Sequence, residues 1–297
     1  MGLRGWSWDA QWGPAGLGDR PLLDALQAAM PDEPVEAVIE ATGTREQRRR
    51  RLPTQLVVTL VVAMGLWASE SVRHVLADVV AGWREDVASA SSAWQLPTNA
   101  ASVRARHRAG ARLFRLLVHA VAGPIATPET VGAFLGGLRL MALDGTPLEV
   151  ADTPANERAF GRPGSGRGAA AFPQIRAVAL IETGTHVLCD VVLRPARCGE
   201  VPAGLRLLRS VGPGMVLLWD PNFHAFEMLR ATLTRQAHCL GRTKVNSVFK
   251  PTELLADGSC LARSYPSPKA RRHDRDGILV RVIAEALDTP AGPGQDK

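Results

Sequence analysis

Only four of the 35 Lys and Arg residues are lysines: Lys244, Lys250, Lys269 and Lys297. An Arg, Ala, Gly and Pro bias of this kind follows from a GC-rich genome, so arginine abundance alone says little about phosphate binding. Cysteine is also scarce. Cys189, Cys198, Cys239 and Cys260 form no CxxC pair and have no His at zinc-ligand spacing, which leaves reduced thiols of a cytoplasmic chain as the reading. Tyrosine occurs once, as Tyr265, and Pro266 and Pro268 keep it out of a helix. No apolar run reaches the ~20 residues that cross a bilayer; residues 56–68 are about thirteen long and read as a buried helix, although Arg48–Arg51 precede them. The opening MGLRGWSWDAQWG lacks the apolar segment of a secretory signal. Internal repeats are absent. These absences argue against zinc modules, secretion and membrane insertion.

What is present describes a globular protein. Of 297 residues, 46% are apolar and 22% charged, enough for one large domain or two ordinary ones. Net charge is +6, and its distribution is informative. Residues 45–120 hold twelve Arg against five acids, whereas residues 1–44 hold two Arg against seven acids. A local excess of this size points to a polyanionic partner.

Residues 1–19 are Trp- and Gly-rich, without periodicity, and read as a loose tail. From Arg20 to about Gly123 the period is helical. Leu22, Leu23 and Leu26 recur until Pro31, and residues 33–42 end at Gly43. Thr44 then offers a cap for a helix with Gln47 at its third position. Leu52-Pro53 starts a further helix over 54–67, apolar on nearly every side, and residues 71–83 follow with Val72, Val75, Leu76 and Val79 on one face. In 96–124, Pro97-Thr98 is a helix start and Gly110 allows a turn into 111–122. Arg104, Arg106 and Arg108 spread round its exposed side. This pattern suits a helix-turn-helix DNA reader or, equally, a solvated helical hairpin.

Beyond Gly123-Pro124 the period becomes that of strands. Strands are expected at 138–143, 174–181, 186–193, 215–219 and 239–245, with helices at 199–210 and 225–237. The loop GRPGSGRG (161–168) is flexible and basic; no strand feeds it and no helix follows, so it is not a dinucleotide fingerprint. Two apolar runs, LMALDGT (140–146) and VLLWDPNF (216–223), each end in an aspartate, Asp144 and Asp220. An acid where a buried strand ends stands at a sheet edge, and two such acids can share a divalent cation through hard oxygen ligands. LDGT also has the form of a phosphatase motif, but the position of the attacking carboxylate is Ala142, which removes aspartyl-phosphate chemistry.

From residue 20 to about 288, the chain resembles the insertion-sequence-4 family of bacterial DDE transposases. The matching stretches are PLLDALQAAMPDEPVEAVIEATGTREQRRRRLP, GLRLMALDGTPLEVADTPANERAFGRPGSGRG, FPQIRAVALIETGTH, VGPGMVLLWDPNF, LLADGSCLA and VRVIAEAL. The resemblance implies an α + α/β chain. Residues 20–125 would form a helical domain that binds transposon ends, and 130–249 a mixed-sheet, ribonuclease H-like catalytic core. Residues 250–297 would begin an inserted β region. Asp144 and Asp220 would be catalytic and would hold Mg²⁺ or Mn²⁺. Duplex DNA, as terminal inverted repeats, would be the partner. Arg48, Arg49, Arg50, Arg51, Arg104, Arg106 and Arg108 would contact it, and a homodimer on DNA, at the nucleoid, is implied.

Two departures stand out. The residue after the second acid is usually Arg in this family and here is Pro221. The third acid should be a Glu on a helix beyond the last strand, and none of Glu253, Asp257, Asp274, Asp276, Glu285, Asp288 or Asp296 fits that pattern. The expectation is therefore a truncated transposase lacking its third carboxylate, inactive or serving only to bind DNA. His186 is expected to have a structural hydrogen-bonding role and His224 a surface position or one near the metal. Arg176 and Arg242 are open to either DNA phosphate or acid partners.

Overall fold

In the computed structural model, residues 25–26, 28–48, 50–86, 96–165, 168–244 and 247–284 are described. The tail at 1–19, Leu22, Leu23, Arg49, Glu285, Asp288 and Asp296 lie outside them. The chain divides into two compact units, residues 1–122 and 123–297.

Unit one is helical. Helix α1 (Asp32–Thr42) buries Val35, Val38 and Ile39 at i, i+3 and i+4. It stops where Gly43 turns left-handed at φ 66°, which lets the Gly43 and Thr44 N–H groups close onto the Glu40 and Ile39 carbonyls. Helix α2 (Thr54–Leu66) buries Leu56, Val57, Val58, Leu60 and Ala63. Helix α3 (Val72–Asp86) adds Val75, Leu76, Val79 and Val80 to the same core. In α4 (Asn99–Val121), the Thr98 hydroxyl accepts from the Ala101 N–H, an N-cap as expected, and Ala105, Ala109, Leu113 and Leu117 face inward. Gly110, at φ 69° and ψ 161°, is not helical, so the span is two helices meeting at a kink where the sequence places a turn.

One expected helix is absent. After Gly43 the chain forms bends rather than a helix capped by Thr44. The Glu46 carboxylate is used elsewhere: it accepts from both the backbone N–H and the hydroxyl of Thr54. The same hydroxyl lies 2.7 Å from the Thr44 carbonyl, the two acceptors sharing its one proton. A loop carboxylate thereby satisfies a first-turn N–H of α2, which competes with a capping box inside the loop.

Unit two is built on a mixed sheet of strand order β6-β5-β2-β7-β8, with β1 pairing the start of β2. The strands are β1 (Phe134–Leu135), β2 (Leu138–Glu149), β5 (Gln174–Glu182), β6 (Leu188–Pro195), β7 (Met215–Trp219) and β8 (His238–Gly241). Strands β2, β5 and β6 run antiparallel in sequence. Helix α6 (Glu200–Leu207) then leads to β7, which lies parallel to β2. Helix α7 (Phe226–Thr234) connects to β8, parallel to β7. Met141, Leu143, Val178, Leu180, Leu217 and Trp219 pack on Ala203, Leu207, Leu208, Met228 and Leu229 of the helical layer. The chain also forms a short helix α5 (Pro154–Phe160) and a small two-stranded pair, β3 (Gly164–Ser165) with β4 (Gly168–Ala169). Residues 164–165 at the end of the basic loop thus pair with 168–169. A three-stranded antiparallel sheet of order β11-β10-β9 and helix α8 (Pro268–Arg272) complete the described elements: β9 is Pro251–Leu254, β10 Cys260–Ser264 and β11 Ile278–Val282.

Two strands differ in extent from their sequence pattern. β6 begins at Leu188, because His186 occupies the hairpin turn at φ 58°. β8 is four residues long and ends at Gly241, where its partner β7 also ends.

Buried charge is paired. Asp190, 1% exposed, accepts from Arg209 at 2.7 and 2.8 Å and from the Ser210 hydroxyl at 2.7 Å. Burial raises its pKa, but Arg209 and Ser210 outweigh burial and hold it below the usual carboxylate range. A depressed acid contributes stability that is present above its unfolded pKa, about 3.9, and is lost as pH falls through the folded value. Asp190→Asn should therefore flatten the acid limb of a pH–stability profile measured by thermal unfolding. An acid limb as steep as wild type would place that dependence on other groups.

Candidate catalytic site

Asp144 is not at a strand end. β2 runs on to Glu149 because its antiparallel pairing with β5 continues through Glu149↔Gln174. What ends near Asp144 is the parallel pairing with β7, whose last register pair is Leu143↔Trp219. The next positions on the two strands are Asp144 and Asp220. The two acids are thus neighbours across the sheet at the point where β7 leaves it. That is the switch-point edge where a cleft opens in a mixed sheet.

Local chemistry fixes each acid. The Asp144 carboxylate is exposed and accepts from the Gly145 N–H at 2.8 Å. Asp220 opens a turn in which the Asn222 N–H donates to Oδ1 at 2.9 Å and the Asn222 amide donates to Oδ2 at 3.1 Å. Phe223 is fully buried and anchors that turn; a Cβ on Gly204 of α6 would come within 3.0 Å of its ring. Trp219 lies against Gly241, where an added Cβ would sit 2.0 Å from the indole nitrogen. Gly241→Ala should force the Trp219 ring out of place and cost about 1–3 kcal/mol, read by denaturant unfolding. Wild-type stability would show that the ring moves aside freely.

A carboxylate that the sequence reading passed over is drawn into the same place. Glu200, first residue of α6, has 12% of its side chain exposed and pairs with Arg176 of β5 at 3.1 Å. Its Oε1 stands 2.9 Å from where a Cβ on Gly145 would be. Burial pushes the Glu200 carboxyl above its usual range; Arg176 pulls it down, while Asp220 and Asp144 raise it further. The signal available in the sequence was an acid directly after Gly199, at the start of the helix expected over 199–210.

The remaining sequence candidates divide. Arg176 is engaged by Glu200, which settles it as an acid partner. Arg242 is exposed beyond β8 and lines the cleft that holds Asp144, Asp220, His224 and Arg281. The His224 ring meets Phe249 edge-on at 6.3 Å, and burial, with Lys244 nearby, lowers its pKa. His186 is an exposed turn residue whose backbone N–H donates to Glu182. Glu253 is exposed on β9, and the Tyr265 hydroxyl donates to Asp274 at 2.6 Å. In unit one, Arg48, Arg50, Arg51, Arg104 and Arg108 are exposed, whereas Arg106 is half-buried against the Met64 sulfur at 3.7 Å. Arg108 donates to the Leu52 carbonyl at 3.3 Å. The arginines of α4 are thus partly used to hold the helices together. Among the described residues, no three His, Cys, Asp or Glu side chains already stand close enough to hold a metal ion.

Residues 135–288 match the transposase DDE domain, and residues 21–119 match the insertion element 4 transposase N-terminal region. The chain belongs to the insertion-sequence-4 family of DDE transposases. It is 25% identical over 260 residues to the transposase InsG of insertion sequence element IS4 from Escherichia coli K12, covering 85% of this chain and 56% of that one. A putative transposase of the same organism, InsZ, is 26% identical over 275 residues, covering 90% and 87%. This transposase therefore spans little more than half the length of InsG. No described helix is long and apolar enough to cross a membrane.

Proposed function

We propose that the chain binds the terminal inverted repeats of an insertion sequence and carries two of the carboxylates for cutting and joining DNA strands. One observation carries this: the β2–β7 register makes Asp144 and Asp220 neighbours in a chain that matches the DDE domain. The succession β2, β5, β6, crossover helix α6 and β7 beside β2 supports a ribonuclease H-like core over 130–249. Residues 250–297 then begin the inserted β region, and residues 20–125 form the DNA-end domain.

The donor set suits Mg²⁺ or Mn²⁺. Asp144 and Asp220 offer hard oxygens, and Asn222 fixes the second acid by hydrogen bonds to both of its oxygens. Bound ions supply activation of a water or 3′-hydroxyl and charge stabilisation during in-line displacement at phosphorus. Asp144 and Asp220 bind and orient. Pro221 adds no charge toward the phosphate; Arg242, exposed in the same cleft, is a cation that would meet it. A second reading, DNA binding without cleavage, is favoured by the absence of a ready three-ligand cluster among the described residues.

The DNA-binding half is tested by salt dependence. Each phosphate neutralised releases about 0.9 counterion from B-DNA, so the slope of log K against log salt counts contacts. Replacing Arg48, Arg50 and Arg51 by Gln should flatten the slope by up to about 3 units. Replacing Arg104, Arg106 and Arg108 should flatten it less, because Arg106 and Arg108 also have partners within the helices. Unchanged slopes in both sets would remove this surface from DNA contact.

A further inference from the structure

We propose that Arg176 and Arg194, set opposite each other across β5 and β6, form a binding site for one phosphate oxyanion. The strand pattern picks them out. On one face of this strand pair, Leu180 stands in register with Asp190, Val178 with Val192, and Arg176 with Arg194. The first two pairs are buried. The third continues the same row with two arginines, beside the start of α6. Like charges directly opposite each other destabilise a sheet. Packing adds to that cost, because the Nε of each arginine is buried without a hydrogen-bond partner. An ordinary surface arginine keeps its guanidinium in water and bears neither cost. Arg176 gives one nitrogen to Glu200 at 3.1 Å. Arg194 has no acid partner among the described residues.

The charge balance of the place is unfinished. Helix α5 packs on β6, but the acids beside it, Asp152 and Glu157, are held by Arg162. Glu149, two residues beyond the β2 partner of Arg176, is exposed and ion-paired with neither arginine. Two guanidiniums against the Glu200 carboxylate leave one positive charge. A phosphodiester carries one negative charge, and its tetrahedral oxygens can meet two planar forks at once. The Arg176 side chain is 27% exposed and Arg194 is half-buried, so the outer side of the pair opens to solvent. Arg176 lies three residues from Ala179, the register partner of Asp144, which is roughly 10 Å along the strand. That spacing makes the backbone of the DNA strand handled at Asp144 and Asp220 the phosphate source in reach. This source rests on the function proposed above; the oxyanion site itself does not.

Thermal unfolding of the full chain is compared in inorganic phosphate and in chloride at matched ionic strength, for wild type, Arg194→Gln and Arg194→Lys. Phosphate also stabilises folded proteins by exclusion from their surface, so the quantity read is the difference between proteins. Phosphate should raise the wild-type midpoint by more than that of Arg194→Gln, since a bound ligand adds stability by mass action. Arg194→Lys keeps the charge without the fork; it should fall between them and stands in if Arg194→Gln does not fold. In the second arm, binding of an inverted-repeat duplex is followed against salt. Arg194→Gln should flatten the slope of log K against log salt by about 0.9, the value for one phosphate. Equal phosphate shifts and equal slopes in wild type and variants overturn the site. A phosphate difference with equal slopes keeps the site and assigns it to free phosphate; a flatter slope with equal phosphate shifts assigns it to DNA alone. Failure of wild type to bind the duplex removes the function proposed above, and the phosphate arm then decides the site by itself.

Discussion

Replacing Glu182 with Ala is expected to cost roughly 3–5 kcal/mol, the range for breaking a buried charge pair. The Glu182 side chain is 0% exposed, and its partner Arg139 is 22% exposed. One carboxylate oxygen accepts from the Ile125 and Ala126 N–H groups at 3.1 and 2.8 Å and from the Thr185 hydroxyl at 2.6 Å. The other meets the Arg139 guanidinium, which also donates to the Ala126 carbonyl at 3.2 Å. One side chain thereby closes the β5–β6 turn and fastens the segment entering the sheet to the start of β2. Its removal strands an arginine and two backbone donors. Burial pushes the Glu182 carboxyl up, but Thr185, the two backbone N–H groups and Arg139 together bring it below the usual range. The stabilisation is thus present above about pH 4.3 and fades as pH falls through the lower folded value. Urea unfolding of Glu182→Ala and Glu182→Gln at neutral and acid pH measures this. A loss under about 1 kcal/mol for Glu182→Ala at neutral pH would show that the hub is dispensable.

The second large effect concerns Asp144 and Asp220. Each Asn substitution should abolish Mn²⁺ binding while leaving the fold intact, because each removes a charge that nothing nearby replaces. Wild-type protein is expected to bind one Mn²⁺ per chain and to leave transposon-end DNA uncut. Two-metal transfer requires ligands for ions about 3.5–4 Å apart, and the β2–β7 register brings together two acids, Asp144 and Asp220. Pro221 also brings no charge to the phosphate. A strand-cleavage assay with matched inverted repeats and Mn²⁺ measures this. Cleavage that disappears on Asp220→Ala would show that a second ion is held after all.

Much of this was legible in sequence, and the misses have physical causes. β7 is found where the apolar run MVLLW places it, because a strand buried on both faces needs no partner information to be recognised. The end of β2 was not legible. Asp144-Gly145-Thr146 reads as a turn, and only pairing with β5 keeps it extended. An acid closing an apolar run is also ambiguous by itself. VALIE ends in Glu182 just as MALD ends in Asp144, yet the first is sealed by four partners and the second faces the cleft. Strand neighbours decide between them, and a single strand does not show its neighbours. Glu200 was missed for the same reason: its meaning depends on a glycine 55 positions earlier, brought beneath it by the sheet.

The central claim is that Asp144 and Asp220 hold one divalent cation between them. Crystals soaked in Mn²⁺ and measured at the manganese absorption edge test it most directly. The account expects one strong anomalous peak between the two side chains, with an oxygen from each at about 2.0–2.6 Å. A peak bound to only one of them, or none at the β2–β7 edge while Mn²⁺ sits elsewhere, would contradict it.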